Sequence, residues 1–112
     1  MKFDLHNHSR YSDGLHTVKE VIDLASKQGL DGMALTDHDS VFGVDEAYTY
    51  GKEKGIFVVK GLELSTYYKN QTVHIVALFK KNIVPKEIYD FSKNVANVKL
   101  NYYYDGTIEV IK

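Results

Sequence analysis

The sequence has 112 residues, of which 44% are hydrophobic and 26% charged, a composition that fits one folded domain and excludes disordered chains and fibrous repeats. Its net charge is only −1, so we expect no binding to duplex nucleic acid, which requires a basic surface. No apolar run approaches the roughly 20 residues that span a bilayer, and the first residues do not resemble a signal peptide, so we expect a cytoplasmic protein without a membrane partner.

The first predicted element is a strand that carries histidines. Apolar and polar residues alternate over residues 3–8, the period of a strand with two different faces. The alternation places Phe3 and Leu5 on one face and Asp4, His6 and His8 on the other. Two histidines that lie two residues apart on one face of a strand can bind a single metal ion.

Two helices are predicted in the next 50 residues. Thr17 and Glu20 have the spacing of a capping box, and the helix that they begin is expected to end at Gly29. A second helix is predicted for about residues 44–54, before Gly55.

Further strands are predicted at residues 32–36, 56–59 and 72–79, with residues 67–71 as a hairpin connection. Because strands alternate with helices, the pattern favours an α/β fold with a parallel sheet. Pro85 predicts the start of a third helix that continues to about residue 97, and residues 100–111 are predicted to form a β-hairpin. We expect residues 1–79 to form the α/β core of the domain. Residues 80–112 are expected either to complete this core or to form a dimer contact.

A group of polar residues falls at or near the predicted strand ends, where functional groups collect in α/β folds. The chain has no cysteine, so any metal ion must be bound by His, Asp or Glu. Mixed imidazole and carboxylate ligands suit Mn²⁺, Zn²⁺ and Fe²⁺. The candidate ligands are His6, His8, Asp13, His38, Glu63 and His74.

Each candidate also has a simpler interpretation. A lone histidine on a strand is more often a packed or surface residue than a ligand, and Asp13 can be a turn residue because it precedes a glycine. Asp37 and Asp39 can cap a helix. Glu63 follows a predicted buried strand, where an unpaired carboxylate is costly, so a cation partner is the better explanation. His16 is the histidine that we expect not to bind metal.

Five motifs, in this order, resemble the PHP (polymerase and histidinol phosphatase) family. They lie at residues 4–9, 12–14, 35–39, 61–65 and 73–76. The resemblance covers about residues 1–79 and is closest to small metal-dependent phosphoesterases, among them 5′-3′ exoribonucleases and 3′,5′-nucleotide bisphosphate phosphatases. It implies a distorted (β/α)₇ barrel, of which this chain would form the first half, followed by a short hairpin.

The resemblance also implies two to three divalent ions, with Mn²⁺ favoured over Zn²⁺ or Fe²⁺. In the family, the positions that match His6 and His8 bind the first ion. The position that matches Glu63 bridges this ion to a second ion, which the match to His74 also binds. The matches to Asp13 and His38 bind the third ion. Asp13, His38 and Glu63 would carry the catalytic roles.

Three further residues have roles that follow from the same resemblance. Asp4 and Asp37 would orient the imidazoles that bind metal, as ligating histidines usually require. Arg10 is a candidate for contact with a substrate phosphate, although an exposed arginine is about as often only solvated.

The leading hypothesis is therefore hydrolysis of a phosphomonoester or phosphodiester at the end of a nucleotide or oligonucleotide, through a hydroxide that bridges metal ions. Family members are considerably longer, however, and supply three more ligands late in the chain, whereas no histidine follows His74. The alternative is a noncatalytic metal-binding or interaction module derived from a PHP domain. The chain can also be a homodimer that covers its sheet edges, a natural short form, or a fragment. A proofreading exonuclease appendage of a polymerase is the weakest alternative.

Overall fold

A computed structural model describes residues 1–98, with side chains described for residues 1–95. In chain order the helices and strands are β1 (Phe3–Asn7), α1 (Val18–Lys27), β2 (Gly32–Leu35), α2 (Val44–Lys54), β3 (Phe57–Tyr68), β4 (Gln71–Leu78) and α3 (Lys86–Val98). A 3-10 turn at Lys80–Asn82 lies between β4 and α3. The hairpin predicted at residues 100–111 lies outside the described residues.

The four strands form one sheet in the order β1-β2-β3-β4. The first three strands are parallel, whereas β4 is antiparallel to β3. The sheet is therefore mixed, and the prediction of a parallel sheet holds only for β1 to β3. The predicted hairpin connection is confirmed: Lys69 and Asn70 have positive φ, as a two-residue turn between twisted strands requires.

β3 is much longer than predicted. The prediction ended this strand at Val59, but β3 has 12 residues. Its first four residues pair with β2, and its remainder, from Gly61 onward, pairs with β4. A side chain at Gly61 would place its Cβ 2.6 Å from the carbonyl oxygen of Ala77, so the close approach of β4 requires glycine here. Glu63 consequently lies within a strand and not after one.

The helices begin and end where local signals placed them. Thr17 and Glu20 form the predicted capping box, with the Thr17 hydroxyl accepting from the Glu20 N–H at 3.2 Å and the Glu20 carboxylate accepting from the Thr17 N–H at 2.9 Å. α2 has the predicted bounds and ends at Gly55, which has a φ of 73°. α3 begins at Lys86, one residue later than predicted.

The core lies between the helices and one face of the sheet. Leu62 and Leu64 are buried on that face, and Glu63, between them, points to the opposite face because strand side chains alternate. Burial of each such side chain contributes about 1.5–3 kcal/mol. Other fully buried members of the core include Ile22 of α1, Met33 of β2, Val44 of α2, Val58 of β3 and Phe91 of α3.

Both edge strands expose apolar side chains. Leu5 on β1 is 45% exposed, and Val73 and Ile75 on β4 are 39% and 42% exposed. The predicted homodimer would cover these edges and stays a prediction, as does the division of the chain at residue 79. No helix in the described residues is both long and apolar enough to cross a membrane.

Candidate metal centre

An irregularity in β1 decides which way its histidines point. Asp4 pairs with Met33 and Asn7 pairs with Leu35, so β1 contains one residue more than β2 over this stretch, as in a β-bulge. Such a bulge re-aims the side chains that follow it. Met33 in turn pairs with Val58, a core residue, so Asp4 lies on the core face of the sheet, whereas the imidazole of His6 contacts Glu63 on the opposite face. The prediction that Asp4 and His6 share a face is therefore wrong.

His38 reaches the same place because the chain continues alongside β3 after β2 ends. His38 and Glu63 form an isolated parallel bridge. The Glu63 N–H donates to the Asp37 carbonyl at 2.9 Å, and the Asp39 N–H donates to the Glu63 carbonyl at 2.9 Å. These two backbone bonds fix the spacing between His38 and Glu63.

Glu63 is the centre of the cluster. Its side chain is buried, and its Oε1 contacts His6 Nε2 and lies 3.0 Å from His8 Nε2. Its Oε2 lies 2.8 Å from His74 Nδ1 and 3.7 Å from His38 Nδ1. His74 is brought close by the β3–β4 hairpin, in which it pairs with the second residue after Glu63. The two carboxylate oxygens thus face two different pairs of imidazoles.

Asp13 is a second carboxylate between imidazoles. Its Oδ1 lies 2.7 Å from His8 Nδ1, and its Oδ2 lies 3.3 Å from His38 Nε2. The rings of His8 and His38 have centroids 4.5 Å apart and are inclined at 64°. Asp13 lies on an exposed loop, so this part of the cluster is open to solvent.

The six predicted ligands therefore form one continuous cluster. It divides into three groups of two histidines and one carboxylate, and within each group the ligand atoms lie within 4.8 Å of one another. This donor set fits divalent ions that accept imidazole and carboxylate together. The groups are His6, His8 and Glu63; His8, Asp13 and His38; and His38, Glu63 and His74.

The electrostatics of the two carboxylates reflect their histidine neighbours. Burial is the largest influence on Glu63 and raises its pKa, but hydrogen bonds with His6 and His8 and the charge of His38 outweigh it and lower the pKa. The pKa of Asp13 is lowered in the same way, against the effect of burial, by its bond with His8 and the charge of His38. Both groups thus favour the ionised form that binds metal.

Comparison with known proteins assigns the family. The PHP domain family matches residues 4–111. The chain belongs to the PHP family. Over 85 residues it is 42% identical to a 5′-3′ exoribonuclease of Haemophilus influenzae, covering 76% of this chain and 31% of that protein. Over 75 residues it is 47% identical to a 3′,5′-nucleoside bisphosphate phosphatase of Chromobacterium violaceum, covering 67% of this chain and 26% of that protein.

A solved structure extends the resemblance to the fold. A protein from Bifidobacterium adolescentis, described as a metal-dependent phosphoesterase, superposes with a TM-score of 0.76 at 29% identity and covers 88% of this PHP chain and 34% of its own. The predicted fold is confirmed as an α/β half-barrel, a curled four-stranded sheet with three helices. The chain spans about a third or less of the length of these relatives.

Asp4 and Asp37 do not have the predicted contacts with imidazoles. Asp4 Oδ1 accepts from the backbone N–H of His6 at 3.2 Å. The buried carboxylate of Asp37 accepts from Ser9 and Ser12. Sequence reasoning missed these two serine contacts because they join residues 25 and 28 positions apart, and no local spacing pairs them.

The two remaining predicted positions lie outside the cluster. The Nε of Arg10 donates to the carbonyl of Leu15 at 3.1 Å, on the exposed loop that also carries Asp13. His16 belongs to none of the three ligand groups found among the described residues. Sequence reasoning also missed a pair of exposed aromatic rings, Tyr11 and Phe42, whose centroids lie 6.3 Å apart.

Proposed function

We propose that this chain provides part of the metal centre of a phosphoester hydrolase. The observation that carries the proposal is Glu63, a buried carboxylate whose two oxygens face different pairs of imidazoles. A carboxylate in this arrangement suits a bridge between two ions, and paired ions about 3.5–4 Å apart are common in phosphatases and nucleases. Membership of the PHP family and the names of the relatives support the same class of reaction.

The proposed ligands are the six residues of the cluster, with Mn²⁺, Zn²⁺ or Fe²⁺ as the ions. When bound, divalent ions would lower the pKa of water and neutralise charge on phosphoryl oxygens. The protein's own contribution is to fix the ligands. Backbone bonds hold Glu63 beside His38, and Asp13, His38 and Glu63 would act by keeping the ions next to the reacting phosphate.

The proposed substrate is a nucleotide or the end of an oligonucleotide. Tyr11 and Phe42 are 50% and 43% exposed and lie on the loops that follow β1 and β2, which also carry Asp13 and His38. Aromatic side chains stack on nucleobases, which contributes about 1–3 kcal/mol per base. Arg10, next to Tyr11, is positioned by its bond to Leu15 and is proposed to contact a phosphate.

The second candidate is a noncatalytic metal-binding or interaction module. The observation that favours it is that both carboxylates of the cluster already contact imidazoles directly, so the cluster can contribute to folding without a reaction. On this alternative, the six early ligands bind ions that stabilise the fold. A cytoplasmic location and a homodimer are compatible with both candidates and stay predictions.

A substrate assay distinguishes the two candidates. The Mn²⁺-loaded chain is given adenosine 3′,5′-bisphosphate, a short 5′-phosphorylated oligoribonucleotide and ribose 5-phosphate, and phosphate or nucleotide release is measured. We expect hydrolysis of the nucleotide substrates, loss of at least about 100-fold in His8→Ala because a ligand is removed, and no loss in the control His16→Ala. A wild-type chain that retains ions but hydrolyses none of these substrates would support the noncatalytic module, and full activity in His8→Ala would refute the site.

A further inference from the structure

We propose that Asp37 is a positioning residue, whose buried carboxylate holds His8 and Asp13 in place through the side chains of Ser9 and Ser12. The inference rests on the proposed function, because it concerns the geometry of the same metal centre. It differs from the role that the family resemblance implied, since the carboxylate acts on the loop after β1 and not on an imidazole.

The contacts of Asp37 are unusually complete for a buried carboxylate. Its side chain is 1% exposed, and Ser9 is fully buried. Oδ1 accepts from the Ser9 N–H at 2.5 Å and from the Ser12 hydroxyl at 2.9 Å, and Oδ2 accepts from the Ser9 hydroxyl at 2.7 Å. A buried carboxylate is costly unless it is bonded in this way, and bonds to a charged acceptor are stronger than neutral ones. The loop is therefore fixed at two points.

These two points flank the ligands that the loop supplies. Ser9 directly follows His8, and Ser12 directly precedes Asp13. The carbonyl of Ser9 also accepts from the N–H groups of Ser12 at 3.1 Å and Gly14 at 2.9 Å, which closes the turn. A shift of this turn would move the Asp13 carboxylate away from the imidazole of His8, from which it now lies 2.7 Å.

The backbone of Asp37 also bonds to β3, so this residue contacts both the loop after β1 and the strand that carries Glu63. Its carbonyl accepts from the Glu63 N–H at 2.9 Å, and the next residue, His38, pairs with Glu63. His74 is placed independently, by the β3–β4 hairpin. The ring centroids of His38 and His74 lie 5.0 Å apart, so a positioning role for Asp37 predicts an uneven effect: a larger disturbance at His8 and His38 than at His74.

Three variants and one control test this role. Asp37→Ala removes all three bonds, and Asp37→Asn keeps the side-chain shape but replaces one acceptor oxygen by an amide group. Ser12→Ala removes the bond to Asp37 and a longer contact with Asp13 Oδ1 at 3.5 Å from a half-buried side chain and is expected to fold, so its effect is compared with that of Asp37→Ala, which leaves the contact with Asp13 in place. The control Ser92→Ala also removes one hydroxyl contact, to the Val41 N–H at 3.1 Å, from a buried serine on α3.

The first measurement is the nitrogen NMR spectrum of the histidine side chains in the metal-free full chain. We expect Ser12→Ala to shift the ring resonances of His8 and His38 more than those of His74, and Asp37→Asn to shift the His8 and His38 resonances less than Asp37→Ala does. Equal shifts at His74, or shifts in Ser12→Ala no larger than in Ser92→Ala, would overturn the proposal.

The second measurement is calorimetric titration of the same variants with Zn²⁺. We expect Ser12→Ala to weaken binding of one ion about tenfold or more, as removal of groups that orient ligands does, at a melting temperature similar to that of Ser92→Ala. Unchanged affinity in Ser12→Ala and Asp37→Ala would contradict the positioning role. A wild-type chain that binds no Zn²⁺ would refute the proposed function, and the NMR shifts would still decide the role of Asp37.

Discussion

Replacement of Glu63 by glutamine removes one negative charge from the centre of the cluster at nearly constant volume. The Glu63 carboxylate belongs to two of the three ligand groups, so the variant should affect two ions. Unit charges 4 Å apart interact by about 4 kcal/mol at an effective dielectric constant of 20. A divalent ion would interact more strongly than a unit charge, whereas desolvation and the remaining amide oxygen would offset part of the gain, so about 4 kcal/mol is the order of magnitude expected for each ion. At about 1.4 kcal/mol per factor of ten, the affinity should fall roughly a thousandfold.

Isothermal titration of the chelator-treated chain with Mn²⁺ measures this effect. We expect Glu63→Gln to lose the tightest binding events, while circular dichroism shows that the variant remains folded. The control Glu53→Gln removes the same charge from the exposed surface of α2 and should bind as wild type does. A loss smaller than about tenfold in Glu63→Gln, well under the calculated effect, would refute the inference that this carboxylate bridges two ions.

Three further predictions concern the loop, a helix cap and acid stability. Gly14→Ala would place a Cβ 2.4 Å from the carbonyl oxygen of His8, so the loop must shift, and calorimetry should show weaker Mn²⁺ binding with α1 intact by circular dichroism. Thr17→Ala breaks the capping box with Glu20 and should lower the free energy of unfolding by about 1 kcal/mol in urea, without changing metal affinity. Because the pKa of Glu63 is lowered in the metal-free fold, its stabilising contribution is present above the pKa of the unfolded carboxyl group and is lost as pH falls through the lowered value. The melting temperature should therefore fall more steeply between pH 6 and pH 3 in wild type than in Glu63→Gln. Parallel curves would contradict a lowered pKa of Glu63 in the folded chain.

Elements with local signals were predictable from sequence. α1 is specified by a capping box within four residues, Thr17 to Glu20, and α2 by the glycine at which it ends. The candidate ligands were predictable because histidines and carboxylates near strand ends, in the order of the family motifs, indicate a metal site even when the distances between their side chains are not known. The structure brings together all six candidates, although their binding of metal stays a proposal.

Features that depend on distant parts of the chain were not predictable. The second half of β3 exists because it pairs with β4, and Gly61, which lies just beyond the strand predicted to end at Val59, is required by that close approach. The bulge in β1 is a property of its register with β2, so simple alternation placed Asp4 on the wrong face. The contacts of Asp37 with Ser9 and Ser12 likewise join separate loops.

The number of metal ions that each chain retains tests most directly whether the six residues form a metal centre. The protein is equilibrated with Mn²⁺, desalted and examined by elemental analysis together with its protein concentration. The three overlapping ligand groups predict two or three ions per chain. One ion or none would contradict a phosphoesterase centre built on Glu63 and would favour the noncatalytic module.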